Sequence, residues 1–204
     1  IRDRDVTGVQ TCALPIFYTH AGPEIAVAST KALLTQIVAT YLIGLHLGEV
    51  RGVLKSKAVS EIYNEMLELP AKLEQILETV EPLRALTRKF ADKNTVLFLG
   101  RHVGFPVALE GALKLKELAY IHAEGFAGGE LKHDPIALIE EGTLVIAIVP
   151  NTHEHGLDEK MLSNIQEVCA RGAKVIAIAA EGIEIPGATH VIRIPDSPQL
   201  LDRK

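Results

Sequence analysis

Four short apolar runs after Asn94 constrain the fold more than anything else in the chain. They are TVLFLG from Thr95, TLVIAIVP from Thr143, AKVIAIAA from Ala173 and THVIRIP from Thr189, each separated from the next by a helical or loop stretch. An uninterrupted apolar run has no polar side to give to water, so it suits a strand covered by helices on both faces. Helices are expected over residues 106 to 120, with Pro106 as a good first residue, and from Leu157 to Arg171, stopped by Gly172. Strand, helix, strand in succession implies right-handed crossovers and an α/β fold with a doubly wound parallel sheet. Ligands in such sheets lie beyond the carboxyl ends of the strands, which singles out the loops after Leu99, Val149 and Ala179.

The chain before Asn94 has a different texture. From Glu24 to about Leu47 the apolar positions Leu33, Leu34, Ile37, Val38, Tyr41, Leu42 and Leu45 predict one helix, with the Ser29 and Thr30 hydroxyls suited to its start. Residues 55 to 91 read as two further helices joined near Pro70, with apolar residues at spacings of three and four. The segment 17–91 is therefore an all-helical part, and 92–204 is the sheet domain. Residues 1–16, IRDRDVTGVQTCALPI, show no period and resemble sequencing-adapter read-through, so they are set apart as non-native.

Composition excludes several classes of function. With 21 Lys and Arg against 26 Asp and Glu, the net charge of −5 leaves no basic excess for nucleic acid. The uncharged stretch between Lys31 and Glu49 is broken by Thr35, Gln36, Thr40, Gly44, His46 and Gly48. It is read as a core helix of a soluble protein, not a membrane span. Cys12 and Cys169 form no metal-type or disulfide-type spacing, which fits a reduced, cytoplasmic setting.

The chemistry concentrates between Gly100 and Pro135. Gly100-Arg101-His102-Val103-Gly104 leads from a strand into a helix; it reads equally as a plain turn or as a phosphate cradle at a helix N-terminus. In the helix PVALEGALKLKELAY, Glu110, Lys114 and Glu117 fall at i, i+4 and i+7. They form one stripe flanked by Val107, Leu118 and Leu113. Two carboxylates around an ammonium beside apolar neighbours can move protons in a cleft. The same spacing also describes an ordinary ion pair on a solvated helix face.

Downstream, HAEGFAGGELKHDP supplies Glu124, the Gly128-Gly129 pair, Glu130 and His133 before the stop at Pro135. An imidazole titrates near neutrality and so serves as acid or base, although a lone histidine is more often structural. Glu130 with His133 lacks a third ligand for a metal, and His153 with His155 is read as solvated loop. Cys169 reads as a buried helical thiol.

The string ALEGALKLKELAYIHAEGFAGGELKH resembles the second sugar isomerase (SIS) domain of the glutamine–fructose-6-phosphate aminotransferase family, the glucosamine-6-phosphate synthases. THAGPEIAVASTKALLTQ is similar to the end of that family's first SIS domain, and the likeness runs from about Thr19 to the C-terminus. It implies a flavodoxin-like three-layer sandwich. It also implies that Glu117 moves the proton between C1 and C2 of the sugar, that His133 opens the ring, and that Glu110 and Lys114 support them. Val27, Ala28 and Ser29 match the family's sugar-contacting segment. Further implications are a phosphosugar substrate, a glutaminase domain in the full-length protein, a homodimer whose neighbour supplies the histidine, and no metal or organic cofactor.

The sequence departs from the family's pattern in places. Position 1 is Ile, with no glutaminase sequence and no N-terminal Cys nucleophile. The first domain's Ser/Thr-rich phosphate loop and the C-terminal tail with its Schiff-base lysine are not in this sequence, so the chain reads as a fragment, inactive alone. Asp134 stands where the family usually has Gly. Two other readings share the fold: an isomerase or deglycase for another phosphosugar, and a non-catalytic phosphosugar sensor, against which the charged stripe counts.

Overall fold

The computed structural model describes residues 17–150 and 156–196, and these fall into two compact units dividing between Ser60 and Glu61. Residues 1–16, with Cys12, and the His153/His155 pair lie outside the described residues.

In the first unit, Lys31–Val50 forms helix α1, starting seven residues later than the periodicity from Glu24 predicts. The capping chemistry also differs from expectation. Thr30 makes no side-chain cap; instead the Glu24 carboxylate accepts from the Thr30 N–H (3.2 Å), the Ala32 N–H (3.1 Å) and the Thr30 hydroxyl (2.8 Å). An acidic group at a helix N-terminus satisfies free amides and meets the positive end of the dipole. The Ala32 N–H chiefly, then the Thr30 hydroxyl, holds the Glu24 carboxyl below its ordinary range. A carboxyl lowered by folding contributes stability above its unfolded pKa, and that contribution is lost as pH falls through the folded value. Glu24→Gln is therefore expected to speed amide exchange at Thr30 and Ala32 at neutral pH. The difference should vanish in acid below the carboxylate range; equal exchange at neutral pH would show that Glu24 is not the cap.

α1 is long and apolar enough to cross a bilayer, with mean hydropathy 1.4. Only Ala39 and Leu45 along it are buried, whereas Leu34, Ile37, Ile43, Leu47 and Val50 are exposed. The expected core helix thus keeps apolar residues exposed on more than one side among the described residues.

Between α1 and the sheet lie three helices, not two: α2 (Ser56–Leu67), α3 (Leu69–Leu77) and α4 (Val80–Arg88). Pro70 sits in the first turn of α3, where its missing N–H costs nothing, so it starts a helix as anticipated. The unanticipated break falls at Glu78 and Thr79.

The second unit contains a five-stranded parallel sheet: β1 (Thr95–Gly100), β2 (His122–Ala127), β3 (Leu144–Ile148), β4 (Lys174–Ala180) and β5 (His190–Ile194), in the order β2-β1-β3-β4-β5. The four apolar runs are β1, β3, β4 and β5. Their side chains alternate between two cores. Leu97, Leu99, Val145, Ala147, Val175 and Ala177 pack with Met161, Ile165 and Val168 of α6 (Leu157–Ala170). Val96, Phe98, Leu144 and Ile176 face the other way, with Ala108 and Ala112 of α5 (Gly104–Ala119) and with Leu86 and Phe90 alongside. Helices on both faces make a three-layer sandwich of the doubly wound type.

β2 was not visible as a strand in the sequence. It lies at the sheet edge, parallel to β1 with Thr95 opposite His122 and Gly100 opposite Ala127. An edge strand needs no apolar run, and this one carries small residues where α5 crosses it. A Cβ on Gly125 would stand 3.0 Å from the Leu109 backbone.

Candidate functional site

Chain order reverses between β1 and β3, so their carboxyl ends form the switch point at which ligands gather in such folds. The turn there, Gly100 to Gly104, is tight. A Cβ on Gly100 would collide with the Gly104 carbonyl oxygen and stand 2.8 Å from Phe105 Cα. His102 adopts a left-handed φ of 52°. The Gly104 and Phe105 amides already donate to the Arg101 and His102 carbonyls, at 2.9 and 3.1 Å. Of the two readings the sequence leaves open, the plain strand-to-helix turn is the one that this geometry favours over a phosphate cradle.

Along α5 the predicted stripe forms. Lys114 Nζ lies 3.1 Å from Glu110 Oε1 and 2.8 Å from Glu117 Oε2. The side chains of Lys114, Glu110 and Glu117 are 22, 33 and 31 % exposed, so water reaches all three while neighbouring groups shield most of each. The bond to Glu117 foremost, then that to Glu110, raises the Lys114 pKa above its ordinary value, so the ammonium persists at physiological pH. Val107, Leu113 and Leu118 beside the stripe are exposed. The ion triad therefore sits in the middle of an apolar, open helix face. An ordinary solvated ion pair would be ringed by polar residues instead.

His133 lies elsewhere. It follows β2 in the turn Gly128–Asp134, at the carboxyl edge of the sheet, and is exposed. Its backbone N–H donates to the Glu130 carbonyl at 3.0 Å, and its imidazole has no hydrogen bond or ion pair among the described residues. Glu117 sits in the last turn of α5, which returns the chain to the amino edge. Within one chain the two are thus separated along the sheet by about the length of β2, roughly 17 Å. The structure brings Glu110, Lys114 and Glu117 together and leaves His133 apart. Asp134 has φ −149° and ψ −54°, outside the left-handed region that favours glycine.

Val27, Ala28 and Ser29 belong to the first unit, in the bend before α1; Ala28 is fully buried, Ser29 half-buried and Val27 exposed. Among the described residues no group of three or more His, Cys, Asp or Glu is placed to hold a metal ion. Cys169 is only half-buried; desolvation pushes its thiol pKa up, which makes it a poor nucleophile.

Two polar residues escape a reading of the sequence for motifs. Asn164 is 4 % exposed on the core side of α6, where its Oδ1 accepts from Arg101 Nη2 at 3.3 Å. The signal was available: between Met161, Ile165 and Val168, a polar residue stands at a core position of an amphipathic helix.

Sheet order and the two layers of helices define a doubly wound α/β domain. Residues 89–200 match the SIS domain family, and the chain belongs to it. Its relatives are more particular still. Over 189 residues it is 58 % identical to the glutamine--fructose-6-phosphate aminotransferase [isomerizing] of Streptomyces coelicolor, and over 187 residues 56 % identical to that of Corynebacterium glutamicum. These matches cover 91 and 90 % of this chain but only 31 and 30 % of those proteins, so the chain spans under a third of the curated relatives it matches. Among solved structures, the C-terminal domain of glucosamine-fructose-6-phosphate aminotransferase from Francisella tularensis superposes with a TM-score of 0.81 at 37 % identity. It covers 86 % of this chain and 49 % of that one.

Proposed function

We propose that this chain carries the proton-transfer part of a phosphosugar isomerase site, in an enzyme that converts fructose 6-phosphate and glutamine-derived ammonia into glucosamine 6-phosphate. The observation that carries the reading is the Glu110–Lys114–Glu117 triad, held at 3.1 and 2.8 Å on an open apolar face. In the reaction an open-chain fructosimine loses a proton from C1 and regains one at C2. Glu117 takes and returns that proton, and the Lys114 ammonium, 2.8 Å away, orients its carboxylate, with Glu110 on the other side of the ammonium. His133 is the acid–base group for opening the ring, and Val27, Ala28 and Ser29 contact the sugar. No metal or organic cofactor is required.

Residues 17–91 are read as the end of a first SIS domain with its linker, and 92–204 as the second. The exposed apolar residues of α1 are then what the rest of the first domain covers, which is why the helix is not assigned to a bilayer. The distance along the sheet between Glu117 and His133 supports a homodimer in which each site takes its histidine from the neighbour. A cytoplasmic setting and a glutaminase domain complete the proposal, with neither nucleic acid nor membrane as partner.

The test uses this chain extended at both ends to the length of its curated relatives. Calorimetry should show micromolar binding of fructose 6-phosphate and glucosamine 6-phosphate, accompanied by interconversion of glucose 6-phosphate and fructose 6-phosphate. Absence of both would overturn the reading in favour of another phosphosugar or a sensor.

A further inference from the structure

The segment Gly128–Ile136, which carries His133, is held from one side by a single stripe of α6. Asn164, Glu167 and Arg171 fall at i, i+3 and i+7 and so share a helix face. Each reaches the segment or its anchor. Asn164 Oδ1 accepts from Arg101 Nη2 at 3.3 Å, and Gly128 rests against both, since a Cβ there would stand 2.6 Å from Asn164 Oδ1 and 3.5 Å from Arg101 Nε. Glu167 Oε1 lies 3.0 Å from Lys132 Nζ. Arg171 Nη1 donates to the Ile136 carbonyl at 3.1 Å. Inside the turn, Leu131 is buried in the core containing Met161 and Ile165, and the Gly128 N–H donates to the Gly100 carbonyl at 2.8 Å.

Two further facts point to this seam. Among the described residues, the two side-chain polar atoms that are buried without a hydrogen-bond partner are Arg101 Nε and Glu167 Oε2, and both belong to it. Fully buried polar atoms are normally paired, so two unpaired ones in a single seam call for an explanation. In addition, the His133 imidazole has no hydrogen bond or ion pair among the described residues, so within them the backbone of its segment decides where it is presented. That backbone contains Gly128-Gly129, the pair with the greatest freedom to swing.

We infer that Arg101, Asn164 and Glu167 are positioning residues: the first two lock the glycine pair, Glu167 holds Lys132, and together they fix where His133 meets the sugar ring. The inference rests on the ring-opening role given to His133 above. It adds to the site a second helix, which touches no substrate and acts through the histidine segment.

The experiment compares Asn164→Leu, which removes the acceptor, with Asn164→Asp, which keeps it, in the chain extended as above. Amide exchange over residues 128–134 is expected to rise about tenfold in Asn164→Leu and to stay near wild type in Asn164→Asp. With fructose 6-phosphate, Asn164→Leu should lower kcat by on the order of 10²-fold with little change in KM, because a displaced catalytic group costs that much. With 5-deoxyfructose 6-phosphate, which lacks the hydroxyl that closes the ring, the loss should largely disappear, and Asn164→Asp should keep near wild-type turnover on both. Unchanged exchange, or an equal loss on both substrates, would overturn the inference. Should Asn164→Leu fail to fold, Glu167→Gln is read in the same assays at Lys132 and His133, with the same two outcomes. A wild-type protein inactive on both sugars would count against the proposed function instead, while exchange would still decide whether the stripe holds the segment.

Discussion

Glu117→Gln is expected to slow the interconversion of glucose 6-phosphate and fructose 6-phosphate by on the order of 10²- to 10⁴-fold, the usual worth of a positioned general base. The substitution suits the test because it changes little else. Glutamine has the same shape, and its amide oxygen can still accept from Lys114 Nζ, which lies 2.8 Å from Glu117 Oε2. Binding of fructose 6-phosphate should therefore be retained while turnover collapses. Glu110→Gln should cost less, because its carboxylate touches the ammonium at 3.1 Å and acts on Glu117 only through it. Steady-state rates with a separate calorimetric binding constant check this. Normal turnover in Glu117→Gln would remove Glu117 from the base role.

Gly100→Ala is expected to cost the fold about 3 kcal/mol, the upper end of what overpacking normally costs. The new methyl would meet backbone, the Gly104 carbonyl and Phe105 Cα, and backbone at the first turn of α5 cannot rotate away as a side chain can. Gly104 is itself wedged, since a Cβ there would stand 3.3 Å from the Ile148 carbonyl oxygen. The turn has no slack on either side. Urea unfolding midpoints compared at constant slope measure the effect. A loss below about 0.5 kcal/mol would mean that the start of α5 can shift, and that Gly100 is not required by close packing.

The sequence made the sheet legible where burial dictates composition. β1, β3 and β4 are covered on both faces, so their residues must be apolar and each stands out as a run, whereas β5, at the far margin, is only half-buried and is found through Val191, Ile192 and Ile194. β2 is at the edge with His122, Glu124 and Gly125 in it, and an edge strand is defined by backbone pairing to β1, which leaves no mark on side-chain type. The start of α1 was misplaced for a related reason. Glu24 lies six residues before Thr30, so the cap bridges a bend that no helical period encodes.

The candidate site was legible to the extent that it is local. Glu110, Lys114 and Glu117 are neighbours on one helix, so spacing alone brings them together. Arg101 and Asn164 are 63 positions apart and meet only because β1, β2 and α6 converge at one corner of the sheet. Motif reading finds the first kind of cluster and passes over the second.

The sheet order leaves β2 and β5 as its two margins, and a row of open backbone groups at a margin is a template on which another chain can grow. Each margin carries a stop. β2 sets a polar pair there, with His122 Nε2 3.2 Å from Glu124 Oε1, and a foreign strand would have to strip water from both. β5 is only five residues long and runs into Pro195, which has no N–H to offer a sixth strand. The residues that end the sheet thus also guard it against aggregation, a safeguard of most value while an apolar helix such as α1 is still waiting for its cover.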